Sequence, residues 1–303
     1  MKGKTLLVYL FALISISLWG FSYIWSNELI AYDIPIYYFI FIRVSMAGII
    51  LLILNLVTRK YQHIRREHLL QFILLALCEP FIYFIAETYG IKETESPTIS
   101  SMVIATVPIF SMIVGYVVFK EKITKLNVLG LIVTLAGLAF VLFTTLDHGV
   151  GENFALGLVL LFVAVIVEVI HASLTKKLSS DYSPQVIVMY QFLIGSVFFL
   201  PVFLTEGLEN YEPWFMTWDV IKPILFLAVL CSSLAFTLWA VAIKNLGLAK
   251  SSIFLAMISV VTALGAVIMG HEKLCLTQWI GIFVASGGII LSQYTKKTSS
   301  SEA

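Results

Sequence analysis

Charge is what this sequence has least of. Only 12% of its 303 residues are Asp, Glu, Lys or Arg, while 60% are hydrophobic. Ordinary soluble domains carry about 25% charged residues, so a fold wetted on all sides is excluded. Net charge is +1. No basic arm or aromatic-interleaved patch is present, and nucleic acid is not an expected partner. Long polar segments are also missing: no connecting stretch exceeds about 20 residues, too short for a soluble catalytic or output domain. Cysteine is sparse and odd in number (Cys78, Cys231, Cys275), with two of the three in apolar runs. That excludes a disulfide framework, and no metal-ligand spacing surrounds them. Neither GxxxxGK[ST] nor HExxH occurs, which removes a nucleotide-driven pump and an HExxH metalloprotease. A membrane-embedded hydrolase is disfavoured for want of a nucleophile–base set. No cofactor and no metal are expected, because His171 is the single histidine inside an apolar run and zinc typically takes four ligands.

What the chain does contain is a succession of apolar runs of about 18–23 residues, each sufficient to cross a bilayer core of roughly 30 Å at 1.5 Å per residue. Ten are expected, near 5–30, 35–57, 69–90, 98–119, 126–144, 155–175, 184–205, 221–243, 250–269 and 276–294. Backbone groups in lipid must pair within their own segment, so the runs should be helices. They lack the alternation of barrel strands. Lys2 and Lys4 precede the first run, which is longer than a signal-peptide core and has no small-x-small cleavage site, so it reads as a retained helix. The fold class expected is an all-α integral membrane protein of ten transmembrane helices. With the N-terminus in the cytoplasm, fifteen Lys and Arg fall in cytoplasmic segments and three (Lys92, Lys222, Lys273) in external ones. That bias predicts a multi-pass protein of the cell membrane with both termini cytoplasmic. The longest external loop, 206–219, carries Trp214 and Trp218 as expected interface anchors.

The second half repeats the first. Residues 100–140 shifted by 151 fall without a gap on 251–291, matching Ser100, Ser101, Ala105, Glu121, Lys122, Gly130, Val133 and Gly137 to Ser251, Ser252, Ala256, Glu272, Lys273, Gly281, Val284 and Gly288. The chain therefore reads as two copies of one module, 1–147 and 148–303. Five helices per copy is an odd number, so the second copy enters from the opposite side. The two form an inverted repeat, an architecture characteristic of secondary transporters.

Five ionisable residues lie inside runs: Arg43, Glu79, Glu87, Glu168 and His171. Each costs a few kcal/mol at mid-membrane, so such residues face an interior or an aqueous path. Glu79, Tyr83 and Glu87 follow at i, i+4 and i+8 on one helical face, beside Pro80. They read either as a cavity stripe, with Glu79 binding an amine or a proton, or as a structural pair of Glu79 with Arg43. Glu87, nearer the outer end, is expected in a solvated vestibule. Glu168 and His171, three apart, read as a proton relay or polar substrate site, or as an interhelical bonded pair. On the first run, Ser15, Trp19, Ser22 and Ser26 form a stripe with Tyr23 beside it, suited to a pathway or to close helix packing. Trp239 is a further aromatic candidate. Ser101, Ala105, Pro108, Met112 and Gly115 form one small-residue stripe, and Ser252, Ala256, Ser259, Ala263 and Ala266 form its counterpart. Those two helices are expected to cross near the pseudo-axis and act as gates, or simply to pack. Gly130, Gly137, Gly281 and Gly288 mark a packing seam within the protein or a homodimer contact.

WGFSYIWSN (19–27), FIRVSMAG (41–48) and VVFKEKIT (117–124), with two five-helix halves, resemble the EamA family of the drug/metabolite transporter superfamily. The resemblance covers nearly the whole chain. The second half departs where Gln191 and Phe192 stand opposite Arg43, and where HEK (271–273) replaces KEK (120–122). The resemblance implies export of small metabolites, often amino acids or related amines and carboxylates. It also implies a cavity lined by helices one, three, four, six, eight and nine. Within the superfamily, nucleotide-sugar or multidrug carriage is the alternative. A phosphate-bearing substrate would want several basic cavity residues, and Arg43 stands alone.

Overall fold

The structure, a computed structural model, describes residues 2–111, 124–147, 152–208, 211–246, 251 and 253–292. Among these, every regular element is helical: α1 (Lys2–Ala31), α2 (Ile36–Val57), α3 (Arg66–Thr94), α4 (Pro97–Ser111), α5 (Lys125–Asp147), α6 (Phe154–Leu178), α7 (Pro184–Gly207), α8 (Trp218–Leu246), α9 (Ile258–Ile268) and α10 (Leu276–Ser292). A 3₁₀ turn, Ile253–Met257, leads into α9. Six of the described helices, α1, α2, α3, α6, α7 and α8, are long and apolar enough to cross a membrane, and α4, α5 and α9 contain shorter apolar stretches. The expected all-α membrane class holds.

Local chemistry sets where helices begin and end. Ser96 caps α4, accepting from the Ile99 N–H at 3.1 Å, and Pro97 follows at the first helical position, where no N–H is required. α3 ends on Glu95 at φ 54°, a left-handed exit that reverses the chain. Large apolar side chains such as Leu70, Phe143, Val197 and Ile268 stand on the outside, as they should where the solvent is hydrocarbon. Small and polar residues turn inward.

α2 packs on α7, α3 on α6, α1 on α8 and α9, and α4 on α6 and α9. The main core lies among these, around Tyr23, Phe39, Phe84, Phe192 and Phe199. A smaller cluster of Met102, Leu138, Val141, Ala263, Ile282 and Ala285 ties α4 and α9 to α5 and α10. α5 and α10 approach through their glycines: a Cβ on Gly137 would lie 2.5 Å from the Ala285 nitrogen, and one on Gly288 2.5 Å from the Thr134 nitrogen. The glycine seam thus operates within one chain, and Leu129, Ile132, Phe283 and Ile280 remain exposed on the outer faces of the two helices.

Connections meet in two groups. Beyond the end of α2, Arg65 pairs with Asp181 at 3.1 Å, and Lys244 near the end of α8 donates to the Tyr182 carbonyl at 3.4 Å. At the opposite ends of α2 and α3, Tyr38 packs on Phe215, ring centroids 5.5 Å apart, and Ser96 donates to Glu272 at 2.6 Å.

Candidate functional site

Three helices lose regular geometry near their middles, two of them, α3 and α4, beside a proline that removes a donor. α3 widens between Leu77 and Ile82, with Glu79 at φ −143° and ψ 123° and Pro80 after it. Gly195 of α7 makes the break fit: a Cβ there would lie 2.4 Å from Pro80 Cγ. α8 widens over Phe226–Ala235, above Pro223. α4 is interrupted at Ala105–Thr106, just before Pro108. Irregular backbone at membrane depth is tolerated where protein or a cavity receives it, and here both occur.

Partners from α1 and α2 take up polar groups of the α8 break. Ser15 Oγ donates to the Ala235 carbonyl at 2.9 Å, Trp19 Nε1 to the Cys231 carbonyl at 3.1 Å, and Arg43 Nε to Ser232 Oγ at 2.8 Å. The serine–tryptophan stripe of α1 therefore anchors a neighbouring helix and also faces inward. Between the two breaks lies a narrow cavity. Trp19, Ser22, Tyr23, Arg43, Glu79, Tyr83, Glu87 and Glu168 supply its polar and aromatic wall. Ile104 and Val107 of α4, with Leu255 and Ile258 of the α9 strand of chain, supply its apolar side.

Glu79 does not pair with Arg43, contrary to the structural alternative read from the sequence. Its Oε2 lies 2.8 Å from Nδ1 of His171, as does Oε2 of Glu168. The reason is rotational: the α3 break turns Glu79 toward α6, while Arg43 is held by Ser232 and lies over the Phe84 ring, 4.1 Å from its centroid. Nε2 of His171 faces Gln191 Oε1 at 3.2 Å. Glu79, Glu168 and His171 bring three polar side-chain atoms within 4.8 Å of one another. Glu87, expected in a solvated vestibule, is buried at 5% exposure, because α3 packs on α6 along its whole second half. It accepts from the Tyr83 hydroxyl at 3.0 Å, and the Tyr23 hydroxyl stands 3.5 Å from Tyr83.

The remaining candidates fall around this centre. His171 sits behind the two carboxylates. Trp239 stands behind Trp19, ring centroids 5.4 Å apart, and does not line the cavity. Ser101 is buried and bonds back to the Thr98 carbonyl at 2.8 Å. Pro108 follows the α4 interruption, and Ser259 faces Ser286 at 3.4 Å. Ser252, Met112, Gly115, Glu121 and Lys122 lie outside the described residues. Gln191 and Ser232 were not singled out as site residues. Both are polar groups inside apolar runs, which is the signal that would have found them.

A membrane-embedded helical bundle with a charged, aromatic cavity between broken helices defines the class: an integral membrane protein. The chain belongs to the EamA-like transporter family, whose profile matches it twice, over residues 6–143 and 155–294. It is 25% identical over 275 residues to the uncharacterized transporter YetK of Bacillus subtilis (strain 168), covering 89% of this chain and 82% of that one. It is 24% identical to the uncharacterized transporter YoaV of the same organism, over 93% and 96% of the two chains. A probable terminal-alkyne amino-acid exporter of Streptantibioticus cattleyicolor is 24% identical, over 75% of each. One solved crystal structure superposes with a TM-score of 0.71 over 94% of this chain and 95% of its own, at 14% identity, a likeness of fold alone.

Proposed function

We propose that this protein exports small metabolites, such as amino acids or related amines, by alternating access across the cytoplasmic membrane. The observation that carries the reading is the cavity, whose lining includes Arg43, Glu79 and Glu168 together with Trp19 and Tyr23. A zwitterion or amine offers groups complementary to these. The relative named as a probable amino-acid exporter supports the same class. Nucleotide-sugar carriage is the less supported alternative, because Arg43 is the one basic residue among the described residues lining the cavity.

In this reading ten helices form two inverted five-helix repeats, 1–147 and 148–303, with both termini cytoplasmic. The geometry at α5 and α10 supports it. A Cβ on Gly137 would lie 2.5 Å from the Ala285 nitrogen and 2.9 Å from the Gly281 carbonyl oxygen, and one on Gly288 would lie 2.5 Å from the Thr134 nitrogen and 2.9 Å from the Gly130 carbonyl oxygen. Each contact maps onto the other under the 151-residue shift. The α3 and α8 irregular segments, and those of α4 and the turn before α9, stand in the same relation. α4 and α9 are the proposed gates, with Ser101 and Pro108 on one and Ser259 on the other. A homodimer through α5 and α10 would use their outward faces, since the glycine faces are occupied.

The test is mass spectrometry of the medium from cells expressing the chain, against empty-vector cells, after loading with amino acids and dipeptides. A metabolite enriched outside only with the protein present is the expected result. Identical media across a broad panel would remove the exporter reading.

A further inference from the structure

Three buried titratable side chains converge on one nitrogen. Oε2 of Glu168 and Oε2 of Glu79 each lie 2.8 Å from Nδ1 of His171, and a single N–H hydrogen cannot serve both. It aligns with Glu168, which accepts it. Oε2 of Glu79 has no hydrogen-bond partner among the described residues, and Glu79 is only 3% exposed. An ionised oxygen left so would bear an uncompensated desolvation cost. The opposite edge of the imidazole faces Gln191 Oε1 at 3.2 Å. Thr175 Oγ1, which can accept or donate, stands 3.4 Å from the same nitrogen, Nε2, so each side of the ring offers an acceptor and the surroundings accommodate an imidazolium donating from both nitrogens.

Counting charge leads to the same state. Two ionised carboxylates carry two negative charges, and His171 is the one cationic group paired with them among the described residues. Arg43 is engaged by Ser232 and Phe84. Glu87 is held by the Tyr83 hydroxyl, with Tyr23 beyond it. Cys78 precedes Glu79 on α3, while α7 presents neutral Gln191 and α8 presents Phe236 to the imidazole. On the cavity side α4 and the α9 region contribute Ile104, Val107, Leu255 and Ile258, none of them titratable. Neutrality of the cluster then takes two protons, one completing the imidazolium and one on Glu79. A divalent metal fits less well: two ligands about 2.0–2.1 Å from a tetrahedral zinc stand about 3.3 Å apart, whereas 2.8 Å is the length of a charge-assisted hydrogen bond.

We infer that Glu79, Glu168 and His171 form a two-proton binding site, and that transport is coupled to the proton gradient through it. The coupling rests on the transporter reading; the protonation does not. Two protons would enter the cluster from one side of the membrane and leave to the other as the solute moves the opposite way.

Infrared difference spectroscopy of the full-length protein in liposomes tests the site without a substrate. The carbonyl stretch of a protonated carboxyl should be present at neutral pH, vanish on alkaline titration, be missing in Glu79→Gln and persist in Glu87→Gln. In His171→Asn, which leaves both carboxyls in place, the band should grow as the second carboxyl takes the proton that His171 held. Absence of the band in the wild type, its persistence in Glu79→Gln, or a stoichiometric divalent metal in the purified protein that Glu79→Gln loses, would each overturn the inference. For coupling, inverted vesicles acidified by ATP hydrolysis are given a mixture of the twenty amino acids while a pH-sensitive dye reports the gradient. Recovery of dye fluorescence in wild-type vesicles, lost in Glu79→Gln, is expected; recovery that Glu79→Gln leaves intact, or none in the wild type, removes the coupling. Because the infrared test needs no solute, a failed secretion assay and a missing band are separate results.

Discussion

At the scale of the residue, the site depends on which of two carboxylates faces which cation. Glu79 and Glu87 sit two turns apart on one helix, and both are buried. Only Glu79 lies against His171, and Glu87 is satisfied by Tyr83. Glu79→Gln is therefore expected to impair transport more than Glu87→Gln in the secretion assay, and equal activity of the two would remove Glu79 from the site. That both lie inside an apolar run was legible in the sequence, because charge there is conspicuous; the burial of Glu87, expected in a solvated vestibule, was not. Nor were their partners. Arg43 and His171 lie at similar depth, and the choice between them turns on the break at Glu79 and on Gly195 admitting the Pro80 ring. Arg43 itself is fixed by shape as well as charge: its planar head lies over Phe84 while Nε donates to Ser232. Lysine supplies the charge without the plane or that donor. Arg43→Lys should lower stability by about 1–3 kcal/mol, read as a fall in the unfolding midpoint in detergent, and an unchanged midpoint would show that neither contact anchors it.

Among the elements, the long helices were legible because an unbroken apolar run admits only one backbone solution in lipid. Their interruptions were legible only in part. Pro80 announced the α3 break, but the widening of α8 and the 3₁₀ turn before α9 contain no proline within the altered segments, and they follow from packing against α1 and its neighbours. The α5–α10 crossing offers a clean comparison between adjacent glycines. A Cβ on Gly288 would collide with Thr134 backbone, whereas Gly287 has nothing within 4 Å. Gly288→Ala should destabilise by about 1–3 kcal/mol, as overpacking does. Gly287→Ala should be neutral or slightly stabilising, as alanine favours helix. Thermal unfolding of the two variants side by side decides it, and equal midpoints would mean that the seam is not close-packed. The start of α4 is a second such point. Glu272 accepts from Ser96, from the Thr98 N–H and from the Thr98 hydroxyl. That places a carboxylate at a helix N-terminus, where the backbone donors and the dipole favour it. Glu272→Ala should cost about 1.5–3 kcal/mol, the worth of hydrogen bonds to a charged group, and a midpoint equal to wild type would show the contact to be incidental.

For the whole molecule, the repeat makes the two ends of the bundle comparable. On one side Glu272, between α9 and α10, clasps the start of α4; on the other, Lys244 and Arg65 tie the α6–α7 connection to α8 and to the segment before α3. In the proposed alternating-access cycle each set opens while the other holds, and two copies of one module, inserted in opposite senses, would supply two states of nearly equal energy by exchanging conformations. The contact that must break on the first side is therefore a place to stop the cycle without touching the cavity. Cysteines at Thr98 and Glu272, in a background from which Cys78, Cys231 and Cys275 have been removed, can be bridged by a short reducible thiol cross-linker. Because Thr98 and Glu272 are in direct side-chain contact, the bridge fits the state described here and forbids the one in which this side opens. Export should fall to the empty-vector level on cross-linking and return on reduction, while single-cysteine controls treated the same way keep their activity. Unimpaired export by the bridged protein would mean that α4 and the α9–α10 connection move as one body, and the hinge would then have to lie elsewhere than at the Pro108 interruption.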